Sequence, residues 1–260
     1  MHSLSGVSDM NWLVVPIYNE ADRFDLNYWN SIVTNSEISI LFVDDGSRDN
    51  SLTILEGFLH PRVSVIRLES NSGKAEAIRQ GFVHLINGPA KESTFIGYLD
   101  ADCAFDPLEV SRILTSSEEQ FFGLSVDAIW MSRVKLSGYQ IHRSAFRHII
   151  GRLIATFLGR GLALFPYDTQ CGFKLFKYSH ELSNAIQVPF NTKWFVDLEL
   201  LFNYSNQLGR WMKIREVPLE YWLEVKGSKI TIKSYLSILE ETLRIRRKVK
   251  RLGHFSNGLA

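Results

Sequence analysis

Two carboxylates separated by one small residue, Asp100-Ala101-Asp102, follow the β-rich run Phe95 to Leu99. Ligands of an open α/β sheet sit at the carboxyl ends of its strands. Two carboxylates at such an end, with no cation near them in sequence, invite a hard divalent metal. Mg2+ is typically held by one or two carboxylates plus the phosphate oxygens of a substrate. The pair reads as a metal–diphosphate site; the plainer alternative is a solvated turn that caps the next helix.

Three further segments carry side chains of the same kind. VVPIYNEADRF sets Pro16, Tyr18 and Glu20 where a strand gives way to a helix. An aromatic ring there can stack on a base, although a proline-broken strand end would look the same. FVDDGSRDNS places Asp44 and Asp45 after a second strand, with Gly46 for the turn. A carboxylate in that position accepts hydrogen bonds from a base N–H or ribose hydroxyls, against the alternative of ordinary Asp-Gly turn chemistry. Two acidic strand ends in one sheet, Asp44 and Asp100, are harder to explain as turns. Gly73 and Lys74 open a helix, where free N–H groups and the dipole favour anions. The P-loop pattern is absent.

The elements that must position these residues alternate. Strands are predicted at Trp12–Ile17, Ile38–Val43, Val63–Leu68, Phe95–Leu99 and Ala128–Met131. Between them, Ala21–Val33, Asn50–Leu59, Lys74–Ile86 and Pro107–Glu119 have helical apolar spacing. This alternation predicts an α/β fold with a mostly parallel, doubly wound sheet flanked by helices. The second half is less regular. A helix over Ile141–Leu158, a strand over Cys171–Phe176, a helix over Phe195–Gln207 and a strand over Trp211–Glu216 are expected. A long helix over Ile232–Leu252 carries Tyr235, Leu236, Leu239 and Leu243 on one face, followed by Arg244, Arg246, Arg247, Lys248, Lys250 and Arg251. That composition suits a helix lying on an anionic membrane, or a helix packed on the domain with solvated charges.

The 260 residues, 45% hydrophobic and 22% charged, suit one large α/β domain, or one domain with an appendage. The division is a catalytic domain over 1–225, with a nucleotide half about 11–132 and an acceptor half about 133–225, then a basic helix and tail over 226–260. Nine Lys/Arg against two Asp/Glu from Lys226 onward give that tail +7 within a total of +1. An anionic partner surface follows from this charge, and nucleic acid is disfavoured because no recognised binding motif accompanies it. Cys103 and Cys171 are too few for a disulfide framework and suit a reducing compartment. No signal peptide is read at the start. The most apolar stretch, Ile149 to Phe165, is interrupted by Arg152 and Arg160 and falls short of a span. The location expected is cytoplasmic, peripheral on the cytoplasmic membrane face.

Taken together, V-P-I-Y-N-E, V-D-D-G-S-x-D-x-S, N-x-G-K-x-x-A-I-x-x-G and D-A-D, in this order and spacing, resemble the GT-A glycosyltransferases of family 2. DTQCGFKLF (Asp168–Phe176), WFVDLELL (Trp194–Leu201) and Gly227-Ser228-Lys229 narrow the resemblance to polyprenyl-phosphate hexose synthases, nearest the dolichyl-phosphate β-glucosyltransferase branch. It runs from about Trp12 to about Leu252, and DTQCGFKLF is its most specific segment.

The resemblance implies an inverting transfer of a hexose, glucose, from a nucleotide sugar, UDP-glucose, to a polyprenyl phosphate. It implies that Pro16, Tyr18, Glu20 and Asp44 line base and ribose, and that Lys74 approaches the nucleotide. Asp100 and Asp102 would hold Mg2+ or Mn2+ and the diphosphate. Arg133 and Arg147 would bind the lipid phosphate, Lys229 would help hold the diphosphate, and Asp197 and Glu199 would lie near the sugar. Asp197 would be the base if the acceptor were an alcohol. Relatives of that branch usually carry an N-terminal membrane anchor; here attachment is expected from the Ile141–Phe165 region and the basic final helix. The alternatives are a family 2 enzyme acting on a soluble or glycan hydroxyl, and a silent nucleotide-sugar binding module at a membrane.

Overall fold

The computed structural model describes residues 11–90, 93–160, 165–193, 195–225 and 232–251. Four short apolar runs form β1 (Trp12–Ile17), β2 (Ser39–Asp44), β3 (Val63–Arg67) and β4 (Phe95–Leu99), joined by α1 (Leu26–Asn35), α2 (Ser51–Glu56) and α3 (Lys74–Asn87). Next come α4 (Pro107–Leu124), β5 (Ala128–Ser132), β6 (Gln140–His142), α5 (Ala145–Gly159) and β7 (Phe173–Lys177). The chain continues through α6 (His180–Gln187), α7 (Val196–Leu208), β8 (Ile214–Pro218), β9 (Tyr221–Leu223) and α8 (Ile232–Arg251).

The main sheet has the order β3-β2-β1-β4-β7-β5-β8. Its pairings are parallel except those of β7, which runs antiparallel to both β4 and β5. The expected mostly parallel, helix-flanked sheet is thus present. Strands buried on both faces read as continuous apolar runs, which is why β1, β2 and β4 are legible without periodicity. Successive residues still go to opposite faces. Val14, Leu41 and Tyr98 pack with α3 and α7 residues such as Phe82 and Leu200. Leu13, Val15 and Phe42 pack with Trp29 and Ile32 of α1 and Val110 of α4.

Several boundaries differ from expectation. Helix α1 starts at Leu26, not Ala21, because the Asp25 side chain caps it, accepting from the N–H groups of Asn27 (2.8 Å) and Tyr28 (3.2 Å). The helix expected over Ile141–Leu158 begins only at Ala145. Ile141 instead lies in β6, exposed-buried-exposed, paired parallel with β9. Its partner, Trp222, is 81 residues away, so no local pattern announced the pair. β6, β9 and α6 have no counterpart in the sequence reading.

The final helix is packed on the body along part of its length. Glu241, Thr242 and Ile245 are buried, and Ile238 packs beside them. Arg246 donates to the carbonyls of Leu158 (2.7 Å) and Arg160 (2.6 Å) at the end of α5, and Arg244 to that of Asn191 (2.9 Å). Lys248 pairs with the buried Glu199. Half of the six-residue basic cluster thus fastens the helix down instead of facing a partner. Leu243, from the predicted apolar face, is exposed; the side chains of Tyr235, Leu236 and Leu239 lie outside the described residues.

Candidate active site

β1 and β2 end together, with Ile17 opposite Asp44. The segments beyond them interlock. Asn19 N–H donates to Ser47 Oγ (3.0 Å), Glu20 N–H to Ser51 Oγ (2.8 Å), and Arg48 N–H to Asn19 Oδ1 (2.8 Å). Gly46 makes this turn with φ +68°, and a Cβ there would sit 2.9 Å from the Asn71 nitrogen. Pro16 and Tyr18 are half-buried beside this knot. Asp44 is fully buried, accepts from Ser47 N–H (3.1 Å) and faces Arg67 Nε at 3.5 Å. The Glu20 carboxylate is engaged by Arg23.

Asp45 has a role that the sequence left unassigned. Its two oxygens accept from the N–H groups of Ser72 (2.7 Å) and Gly73 (2.8 Å), and burial raises its carboxyl. It thereby fixes the segment that delivers Lys74 at the first position of α3. Lys74 Nζ stands 2.6 Å from Asp100 Oδ1. Burial works to lower the Lys74 ammonium, and the Asp100 carboxylate more than reverses this. Burial, then the adjacent Asp100 charge, raises the Asp102 carboxyl to about 6.

Asp100 and Asp102 therefore form a tight acidic pair that one lysine only partly offsets. Among the described residues, no cluster of three or more His, Cys, Asp or Glu is placed to hold a metal. Two oxygen donors suit Mg2+ or Mn2+ that draws its remaining ligands from a diphosphate and water, and would not suit a closed zinc site.

β7 brings DTQCG to this place. Because it runs antiparallel to β4, its start lies beside the end of β4, with Leu99 opposite Phe173. Asp100 N–H donates to the Gly172 carbonyl (2.8 Å). Four residues earlier, Asp168 grips Arg133 in a fork, Nε at 2.7 Å and Nη2 at 2.8 Å, and also accepts from Arg133 N–H at 3.0 Å. Burial alone would raise the Asp168 carboxyl, but the Arg133 guanidinium outweighs it and holds the carboxyl below the usual range. Arg133 itself lies over the Trp222 ring at 5.0 Å. Glu216 accepts from the N–H groups of Tyr167 (2.8 Å) and Asp168 (3.1 Å).

Beneath this loop sits a lysine that the sequence reading passed over. Lys174 is fully buried in β7, 4.5 Å from the centre of the Trp130 ring. It donates to the carbonyls of Thr169 (3.2 Å) and Cys171 (2.7 Å), and its Nζ stands 2.9 Å from Asp197 Oδ1. Burial pushes the Asp197 carboxyl well up and the Lys174 ammonium down to about 7. A lysine inside the apolar run Cys171–Phe176 was the available signal.

The structure separates Asp197 from Glu199, the acidic helix pair. Asp197 faces Lys174, whereas Glu199 faces Lys248 and accepts from Asn191 N–H (3.2 Å). Arg147 lies in the first turn of α5, with its side chain outside the described residues, and Lys229 lies outside them altogether. Burial pushes the thiols of Cys103 and Cys171 up to about 11 and about 12, which fits packing residues and not nucleophiles.

Residues 12–180 match the family model described as Glycosyl transferase family 2. The chain is 31% identical over 245 residues to a dolichyl-phosphate beta-glucosyltransferase of Saccharomyces cerevisiae, covering 85% of this chain and 69% of that protein. It is 28% identical over 256 residues to another protein of that name from Trichomonas vaginalis, covering 89% and 69%. Among solved structures, its fold is similar to that of glucosyl-3-phosphoglycerate synthase from Mycobacterium tuberculosis, solved with Mn2+, UDP and glucosyl-3-phosphoglycerate. The TM-score is 0.61 at 17% identity, covering 93% of this chain and 77% of that chain.

Proposed function

The chain belongs to glycosyl transferase family 2, and from that membership we propose that it moves glucose from UDP-glucose to a polyprenyl phosphate, inverting the anomeric carbon. The observation that carries this reading is the meeting of two charge clusters across residues 168–172. On one side stand Asp100, Asp102 and Lys74; on the other, the guanidinium groups of Arg133 and Arg143 gather around Asp168. A nucleotide diphosphate fits the first cluster and a phosphate nucleophile the second. The names of the relatives supply the sugar and the class of acceptor.

The reaction expels a nucleoside diphosphate while the acceptor attacks the opposite face of the sugar. Negative charge grows on the departing diphosphate. Lys74 and the N–H groups at the start of α3 would receive it, as helix N-termini favour anions. Asp100 and Asp102 would hold Mg2+ or Mn2+, which supplies Lewis-acid stabilisation of the leaving group when bound. Pro16, Tyr18, Glu20 and Asp44 would line base and ribose. Lys229 would assist at the diphosphate and Arg147 at the acceptor phosphate.

A phosphate monoester is already ionised near neutral pH and needs orientation more than a general base, and forked guanidinium groups provide it. This agrees with Asp197, which is buried against Lys174 and bears on the site through the carbonyls that Lys174 holds. Among the described residues no helix is long and apolar enough to cross a membrane. The protein would meet its lipid peripherally, on the cytoplasmic face, through α5, which exposes Ile149, Leu153 and Phe157.

The test is transfer of radiolabelled sugar from a panel of UDP- and GDP-hexoses into butanol-extractable polyprenyl phosphate, with Mn2+, Mg2+ or EDTA. Metal-dependent lipid product from UDP-glucose is expected. Donor turnover without lipid product would move the acceptor to a hydroxyl, and no turnover with any donor would leave a binding module.

A further inference from the structure

Residues 191–193 lie in the link from α6 to α7. Asn191 and Lys193 are exposed, as link residues usually are. Their backbone is nevertheless held at three points. Asn191 N–H donates to Glu199 Oε1 (3.2 Å), the Asn191 carbonyl accepts from Arg244 Nη1 (2.9 Å), and Lys193 N–H donates to Glu241 Oε2 (3.1 Å). Arg244 and Glu241 belong to α8, and Glu199 is itself paired with Lys248 of α8. One helix, distant in sequence, thus sets this segment.

Two of the holding groups are carboxylates taken out of solvent: Glu199 is fully buried, and Glu241 is buried beside it on the packed face of α8. Burying a charge is costly, and a buried ion pair is weak evidence of stability because apolar replacements often do as well. Buried charges that grip an exposed segment fix its position more than they stabilise the fold.

That position is beside the start of α3. A Cβ at Gly73 would lie 4.0 Å from Lys193 Cγ. Gly73 precedes Lys74, whose Nζ stands 2.6 Å from Asp100 Oδ1. Where the same link enters α7, the Asp197 charge also bears on Lys74. The Lys193 ammonium rides on a flexible stem beyond Cγ and makes no ion pair among the described residues. Lys74 is already paired with Asp100, so a diphosphate gains from an ammonium that no carboxylate has claimed.

We propose that α8 presents Lys193 to the departing nucleoside diphosphate: Glu241 and Arg244 set residues 191–193 against the start of α3, and the Lys193 ammonium is a second cation, beside Lys74, for the charge that grows there. This rests on the reading above that the donor is a nucleotide sugar held at Asp100, Asp102 and Lys74. Glu241 and Arg244 act through the backbone of the segment and are positioning residues. The final helix is then a strap on the donor site.

The test measures binding of UDP to the full chain by calorimetry with Mn2+ present, and of uridine by displacement of UDP. Lys193→Ala should weaken UDP about tenfold, leave uridine unchanged and, at an exposed position, leave the melting temperature unchanged. Lys193→Arg should retain most of the affinity. Arg244 is half-exposed, and Arg244→Ala should weaken UDP about threefold, again without moving uridine. The double variant Lys193→Ala, Arg244→Ala should bind UDP no more weakly than Lys193→Ala alone, because Arg244 acts through Lys193.

Unchanged UDP affinity in Lys193→Ala overturns the proposal. So do equal losses for UDP and uridine, which would mark a disturbed fold or a contact to the nucleoside. Additive losses in the double variant would deny α8 its part and overturn the proposal as well. A wild type that binds UDP no more tightly than uridine would overturn it together with the reading beneath it. Failure of that reading alone looks different: UDP binds through Lys193, yet no lipid product forms from any donor.

Discussion

Gly172 packs against Asp100 with no space between them: a Cβ at position 172 would lie 2.1 Å from the Asp100 carboxyl carbon. The Asp100 amide is bonded to the Gly172 carbonyl as well, so the antiparallel strand's lead-in sets both backbone and side chain at the acidic pair. Gly172→Ala is expected to displace the Asp100 carboxylate. A shift of about 1 Å at a reacting centre can cost roughly 100-fold, and transfer should fall by about that factor while circular dichroism stays native. Wild-type turnover in this variant would sink the account.

Metal binding should follow the protonation of Asp102. Burial and Asp100 raise this carboxyl to about 6, and a protonated carboxyl does not coordinate. Mn2+ affinity, titrated in the presence of UDP, is expected to be level above that pH and to weaken as pH falls through it. Asp102→Asn should abolish both the pH dependence and most of the affinity. Constant affinity between about pH 5 and 7.5 would contradict this.

The Lys174–Asp197 pair makes a prediction about stability. Removing one partner of a buried pair typically costs about 3–5 kcal/mol, because the other is left uncompensated. Lys174→Met should show a loss of that order in urea unfolding, and the double variant Lys174→Met, Asp197→Leu should recover much of it. Additive losses would mean that the two side chains do not interact.

Asp168 predicts an acid limb. Its folded-state carboxyl is held below the ordinary 3.8 by Arg133. The folded state therefore binds fewer protons than the unfolded one as pH drops below about 4. The stability it contributes is complete above that pH and is lost as pH falls through the folded value. Asp168→Asn should be less stable at neutral pH and should lose less on acidification to about pH 2. Parallel acid-unfolding curves for the two proteins would refute this assignment.

Vesicle association should depend on α5. Ile149, Leu153 and Phe157 are 56%, 61% and 44% exposed, so charged replacements there need not disturb the core. Ile149→Glu with Leu153→Glu is expected to abolish flotation with anionic vesicles at an unchanged melting temperature. Undiminished flotation would place the contact elsewhere.

The sequence by itself determined β1, β2, β3 and β4 and the acidic ends Asp44 and Asp100. β1, β2 and β4, buried on both faces, leave uninterrupted apolar runs, while β3 at the sheet's edge is only half-buried, and a doubly wound sheet gathers the residues after its strands at one end. It also determined the family, since the motifs stand in order along the chain. Tertiary structure alone decided what meets across the sheet. The antiparallel insertion of β7 sets Gly172 against Asp100, Lys174 against Asp197, and Asp168 between Arg133 and Arg143. Pairing Leu99 with Phe173 depends on the path of the intervening chain, and no local periodicity records that path. Whether a charged side chain is solvated, paired or left over is decided by burial and by neighbours distant in sequence.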